Sequence, residues 1–201
     1  FFRWYAEEAV RINGELSIAP SGTNRILVQY QPVGVAVLVT PWNFPAAMAT
    51  RTKALVIANY EIVGWFGNRG VVGHPLHIGG GRRFPFGHVK LTIAHHGSTG
   101  PDGEALGNPA GIVLTMGGKK IYHAGDTALF LDMKLIAEMN GPFDAALLPI
   151  GDNFTMGIVD AAKAAEFVGA AVSIPMHYDT FGWIQADPNE FVKRVQAGGR
   201  K

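Results

Sequence analysis

Three side chains able to do hydrolytic chemistry follow segments with strand character. His96 comes after the alternating run His88 to Ala94, Asp126 after Lys120 to His123, and His177 after Ala171 to Met176. Strand ends expose side chains to a common edge while the sheet behind them stays rigid, so residues far apart in sequence can converge there. Two imidazoles and a carboxylate are an adequate donor set for zinc, manganese or iron. Taken singly, each residue has a plainer use. A His after a strand is ordinarily a hydrogen-bonded structural residue, and an Asp after Gly ordinarily caps a helix or closes a turn.

The elements that must position these groups can be read from the hydrophobic pattern. Residues 1 to 13 suit an amphipathic helix ended by Asn13-Gly14. Arg25 to Tyr30 and Val33 to Thr40 are apolar and β-branched around a Gln-Pro break, predicting a hairpin-like pair before the rigid loop Pro41 to Pro45. The apolar spacing of Ala54 to Phe66 predicts a helix, stopped by Gly67 and Gly70. His77 to Gly81 reads as a turn. Ile112 to Met116 and Lys120 to His123 flank Gly117-Gly118 as a hairpin. The last third alternates: helix at Asp132 to Met139, strand at Ala145 to Ile150, helix at Asp160 to Val168, strand at Ala171 to Met176, helix at Asn189 to Gln196. Alternation of this kind implies a layered α/β arrangement.

Composition bounds the chemistry. With 201 residues, 48% of them hydrophobic and 16% charged, the chain has material for a real core. A net charge of +1, with Lys and Arg scattered, leaves no electrostatic footprint for nucleic acid. The absence of cysteine removes disulfides, thiolate metal sites and cysteine nucleophiles, and it fits a cytoplasmic location. Any metal must be held by nitrogen and oxygen. The charge-free stretch Ile26 to Thr50 is interrupted by Pro32, Pro41 and Pro45 and reads as buried strand and loop, not as a membrane span. The start, Phe1-Phe2-Arg3-Trp4, has neither an initiator Met nor the pattern of a signal peptide, which fits a fragment.

Five runs occur in a telling order: His74-Pro75-Leu76-His77-Ile78-Gly79-Gly80, Ala94-His95-His96-Gly97-Ser98, Tyr122-His123-Ala124-Gly125-Asp126-Thr127, Leu148 to Gly157, and Ile174-Pro175-Met176-His177-Tyr178. Together they resemble the metal-dependent hydrolases of the metallo-β-lactamase superfamily, in particular the small bacterial family of largely unassigned substrate. The resemblance runs from about Ala54 to Phe191. It implies an αββα sandwich, here incomplete and with an added N-terminal helix and strands. It also implies His96 as a ligand of a first metal, Asp126 as the carboxylate bridging two metals, and His177 as a ligand of the second, with Asp126 and His177 the catalytic pair. His95, His123, Asp152 and Asn153 are then expected to support the site or fix its loops. His74 and His77 are expected to be structural or rim residues, and His88 exposed. The family also carries an upstream His-x-His-x-Asp-His motif that supplies four more ligands, and nothing of that form stands before Ala54.

The front segment resembles something else. Phe2-Arg3-Trp4-Tyr5-Ala6-Glu7-Glu8-Ala9, Gln31-Pro32-Val33-Gly34-Val35 and Pro41-Trp42-Asn43-Phe44-Pro45 are similar to aldehyde dehydrogenases of the succinate-semialdehyde type. That resemblance would give Asn43 a role at the oxyanion, but the chemistry needs a catalytic Cys, which this chain lacks. No NAD is therefore expected, and Asn43 reads as a loop residue. The expected organisation is chimeric: an aldehyde-dehydrogenase-like fragment over 1–52 and the C-terminal half of a hydrolase over 53–201. The resemblance implies metal-activated water attacking an ester, lactone, amide or phosphoester of a small-molecule substrate, with a divalent ion, zinc or manganese, as cofactor. The competing expectation is a catalytically inactive remnant lacking the upstream ligands. A homo-oligomer is expected in either case, since two incomplete parents expose apolar faces.

Overall fold

The computed structural model describes residues 54–100 and 103–201, together with the backbone of two short strands further upstream. The chain divides into two compact units, Phe1–Thr40 and Pro41–Lys201. In the first unit, β1 (Glu15–Ile18) and β2 (Arg25–Val28) pair antiparallel, with Glu15 opposite Val28. The described partner of the Arg25 strand is thus an upstream segment, where the sequence had suggested Val33 to Thr40. The helix expected over 1 to 13, the strand over 33 to 40 and the loop carrying Asn43 lie outside the described residues.

The second unit begins with a correction. Where one helix was expected from Ala54 to Phe66, the chain forms β3 (Val56–Asn59) and then α1 (Tyr60–Gly67). The β-branched Val56-Ile57 pair enters a parallel ladder with β4 (Gly73–Leu76), in register Val56 to Gly73. Asn59 then starts the helix, its Oδ1 accepting from the Ile62 N–H at 2.8 Å. A helical period spanning both elements masked the cap between them.

The main sheet has six strands: β5 (Gly81–Phe84), β6 (Gly87–Ile93), β7 (Ala110–Met116), β8 (Lys119–His123), β9 (Ala145–Pro149) and β10 (Val172–Met176), in the order β10-β9-β8-β7-β6-β5. Gly117 and Gly118, at φ 58° and 77°, make the left-handed two-residue turn that the β7–β8 hairpin requires. Strands β8, β9 and β10 run parallel. They are joined by α2 (Met133–Asn140) and α3 (Ile158–Val168) as crossovers. Strand β6 is antiparallel to β7, which is antiparallel to β8, so β6 also runs in the direction of β8. The C-terminal ends of β6, β8, β9 and β10 therefore meet at one edge. Those are the ends that carry His96, Asp126, Asp152 and His177.

One face of the sheet is packed. Val113, Tyr122, Ala146 and Leu148 point into a core closed by Met133, by Ala161, Ala164, Ala165 and Val168 of α3, and by Phe191 and Val195 of α4 (Pro188–Ala197). The alanines at this helical spacing let α3 lie close on the strands. Gly169, left-handed at φ 62°, ends that helix with its N–H on Ala165 O. Strand positions of the other parity are covered less: Val172 and Ile174, which pair with Ala145 and Leu147, are 44% and 41% exposed. Among the described residues no helix is long and apolar enough to cross a membrane.

Candidate functional site

The edge where the four strand ends meet is tied together through Thr127, whose side chain is fully buried. Its Oγ1 accepts from the His95 N–H at 2.9 Å and donates to Ala128 O, and its carbonyl accepts from the Met156 N–H at 3.0 Å. One hydroxyl and one carbonyl thus join the loops after β6, β8 and β9. The loop after β10 joins next, with Ile150 N–H donating to Met176 O at 3.0 Å. Gly151 packs so closely under the chain that a Cβ there would strike the His177 carbonyl.

Asp126 and His177 come together at this edge. His177 Nε2 lies 3.6 Å from Asp126 Oδ2, and both side chains are partly shielded, at 20% and 27% exposure. His177 sits at φ 55°, in the left-handed region that non-glycine residues seldom occupy, which turns its ring toward Asp126 as the chain leaves β10. Among the described residues its buried Nδ1 has no hydrogen-bond partner.

His96 is on the same edge but not in the same group. It is exposed, and its Nδ1 lies 2.9 Å from Gly97 O. A carbonyl only accepts, so in the neutral ring this contact assigns the proton to Nδ1 and leaves the lone pair on Nε2. Among the described residues no three His, Asp or Glu side chains stand close enough together to hold an ion. The three-donor convergence expected of His96, Asp126 and His177 is therefore met by two. A catalytic ion takes three protein ligands. By themselves the described residues do not fit a complete metal centre.

The supporting residues have definite places. His95 is fixed by its backbone bonds to Thr127 and Ala128, and its ring lies 4.7 Å from that of Phe130. His123 accepts from the Gly125 N–H through Nδ1 at 3.1 Å, which places the proton of the neutral ring on Nε2. Burial pushes the His123 imidazole below its ordinary range, against the opposite pull of the Asp126 charge. Asp152 and Asn153, both left-handed at φ 59° and 53°, turn the loop that Gly151 and Gly157 close with an antiparallel bridge. His74 meets Phe84 edge-on at 5.2 Å, and His77 is exposed, 3.9 Å from the Glu61 carboxylate. His88 is half-buried over Gly81, where the sequence had suggested an exposed residue; on β6 it pairs against Arg83, and the missing Gly81 side chain leaves it room.

The family profile described as a beta-lactamase superfamily domain matches residues 15–178. A UPF0173 metal-dependent hydrolase from a Geobacillus species is 54% identical over 155 residues, covering 75% of this chain and 68% of the relative. The chain belongs to this family. Another UPF0173 metal-dependent hydrolase, from Anoxybacillus flavithermus, is 52% identical over 158 residues, covering 77% of this chain and 70% of the relative. Among solved structures, a novel metallo hydrolase from the hyperthermophilic archaeon Ignicoccus hospitalis is 38% identical with a TM-score of 0.69, covering 77% of this chain and 66% of that one. The isothiocyanate hydrolase from Delia radicum gut bacteria shares the fold alone, at 19% identity and a TM-score of 0.59, over 79% of this chain and 66% of that one. The chain spans about two thirds of the length of these UPF0173 relatives and of the archaeal hydrolase. The α/β metallo-β-lactamase fold read from the motifs is the fold observed.

Sequence reasoning missed two groups at this edge. Thr127 was only a neighbour of Asp126 in a motif, although a hydroxyl beside a strand end could have signalled loop fastening. Phe154, Phe181 and Trp183 were passed over, although their density in two glycine-bearing loops was visible.

Proposed function

We propose that this UPF0173 chain is a hydrolase in which Asp126 and His177 act on a water molecule that attacks an ester, lactone, amide or phosphoester of a small-molecule substrate. The observation that supports the reading is the approach of His177 to Asp126 at the shared strand edge, 3.6 Å apart. That separation is just beyond a direct hydrogen bond and leaves a position that a bridging water can satisfy from both sides. Asp126 orients the water and withdraws its proton as the new bond to the substrate forms, and His177 holds the proton that the leaving group takes as its own bond breaks. His96 is the expected third donor for a divalent ion, zinc or manganese, and such an ion needs donors beyond the described pair.

Turnover of 4-nitrophenyl acetate by the purified chain, with metal content measured on the same sample, tests this reading. Asp126→Asn and His177→Ala are each expected to lower kcat/KM by about 100-fold or more, with unchanged circular dichroism. Turnover that persists in both variants would overturn the assignment.

A second reading is favoured by the absent His-x-His-x-Asp-His motif and by the lack of a three-donor group among the described residues. On it the chain is a catalytically inactive chimera or remnant. A protein with no turnover that takes up neither zinc nor manganese is its expected result.

A further inference from the structure

Three large aromatic side chains stand on the two loops that flank the Asp126–His177 pair, and they are turned outward. Phe154, in the loop after β9, is 51% exposed, while Phe181 and Trp183, in the loop after β10, are 50% and 73% exposed. Aromatic side chains of this size ordinarily bury most of their surface. The three rings nevertheless form one patch. Phe154 lies 6.3 Å from Phe181, and 6.5 Å from Trp183 with the ring planes only 15° apart.

The loops that present this patch are built. Met156 and Ile184, both buried, anchor them beneath the rings. Asp152 N–H donates to Met156 O at 3.1 Å, and Asp179 N–H donates to Ile184 O at 2.8 Å. The Asp179 carboxylate accepts from Ala186 N–H at 3.0 Å. Asp152, Asn153 and Asp179 all hold left-handed backbone, the kind of local strain that persists only where surroundings fix it. One of these anchors, Ile184, also lies beside the His177 backbone. Ile184 Cβ is 2.9 Å from where a Gly151 Cβ would stand, and that same position abuts the His177 carbonyl. The base of the loop that carries Phe181 and Trp183 is thus packed against the backbone at Gly151 and His177.

Charge narrows what the patch can receive. The segments 150–158 and 177–187 contain Asp152, Asp179 and Asp187 and neither Lys nor Arg. An anionic group laid on these rings would face like charge with no Lys or Arg in the two loops to offset it. A neutral flat group gains stacking and dispersion instead.

We propose that Phe154, Phe181 and Trp183 form the specificity platform of the site, receiving an uncharged aromatic portion of the substrate, so that aryl esters or amides are favoured over phosphoesters. The substrate assignment rests on the hydrolase reading above; the binding of an aromatic group to the platform does not.

The test uses 1-naphthol as a non-reacting probe in titration calorimetry, and 1-naphthyl acetate, 1-naphthyl phosphate and methyl acetate as substrates. Wild type is expected to bind 1-naphthol. Trp183→Ala and Phe154→Ala, both at exposed positions, are expected to weaken that binding about tenfold, and Asp126→Asn to leave it unchanged. The ratio of kcat/KM for 1-naphthyl acetate over methyl acetate is expected to fall about tenfold in Trp183→Ala, with 1-naphthyl phosphate turned over least by wild type. Equal naphthol binding in wild type, Trp183→Ala and Phe154→Ala, or none in wild type, overturns the platform even if hydrolysis is intact. Trp183-dependent naphthol binding with no Asp126-dependent turnover keeps the platform and sinks the hydrolase reading. Preference for the phosphate ester overturns the charge argument.

Discussion

The Thr127 hydroxyl accepts a hydrogen bond from the His95 N–H at 2.9 Å, joining the loop beside Asp126 to the loop that carries His96. Both residues follow strands that are separated in the sheet by β7, so no ladder bond could make this connection. A fully buried side chain does it, beside one backbone bond from the Ala128 N–H to His95 O at 3.2 Å.

Thr127→Val keeps the shape of the side chain and removes the acceptor. The His95 N–H then loses its partner, at a cost of about 1–3 kcal/mol. Chemical denaturation should show that loss in the unfolding midpoint. Hydrolytic activity should fall with it, because the loops bearing His96 and Asp126 lose one of their two fastenings and keep only the Ala128 to His95 backbone bond. A variant as stable as wild type would mean that the hydroxyl merely occupies space.

Gly151→Ala probes the other fastening. The added methyl would strike the His177 carbonyl and press on Ile184 Cβ at 2.9 Å. Neither can yield easily, since one is backbone and the other belongs to a fully buried residue. Overpacking of this kind costs about 1–3 kcal/mol. The larger expected effect is on kcat/KM, because the left-handed turn that aims His177 at Asp126 is what moves. Unchanged kcat/KM together with lowered stability would separate packing from positioning and remove Gly151 from the account of the site.

The legibility of the site followed from how local each signal was. Strand ends bearing His96 and Asp126 could be read because Gly97 and Gly125 mark the boundaries within a few residues, and the end bearing His177 because the apolar run stops at Met176. That they share an edge depends on β6, β8, β9 and β10 running the same way, which follows from pairing among distant strands. Whether their side chains meet depends on rotamers and on φ at single residues such as His177, to which periodicity is blind. Helix α3 was legible almost to the residue because its alanines keep one face. The helix expected from Ala54 was misread because β3 and α1 are both apolar and adjoin without a Gly or Pro between them, leaving only the Asn59 cap to mark the change.

Acid should weaken the start of the β8–β9 pairing through Asp144. Its carboxylate accepts from Lys119 Nζ at 2.7 Å and from the Lys120 N–H at 2.8 Å. The Lys119 hydrogen bond, then the Lys120 N–H, hold Asp144 below the ordinary aspartate range. A carboxyl with a lowered folded value contributes stability that is complete above its unfolded value, about 3.9, and that is lost as pH falls through the folded value. Urea midpoints of wild type and Asp144→Asn should therefore differ at pH 5 to 7, roughly, begin to approach each other below about pH 4, and meet only once pH has fallen through the folded value. A difference that stays constant down to about pH 2 would show that the carboxylate charge is not what matters.

The core offers a prediction in which two aromatic substitutions should act oppositely. Phe191 is fully buried under the sheet, so Phe191→Ala opens a cavity and should cost about 3–5 kcal/mol. Tyr122 is equally buried and stacks on Phe143 at 5.6 Å, but its hydroxyl has no hydrogen-bond partner. Burial pushes that phenol far above its ordinary range, and the nearby Thr92 hydroxyl eases the penalty only in part, since its own oxygen is also without a well-formed bond. Removing the oxygen keeps the ring and deletes a desolvated polar atom, whose burial costs about 1–3 kcal/mol. Tyr122→Phe should accordingly match or exceed wild type in thermal unfolding while Phe191→Ala falls well below it. A Tyr122→Phe variant that loses stability would show that the hydroxyl is satisfied in solution, through a buried water shared with Thr92.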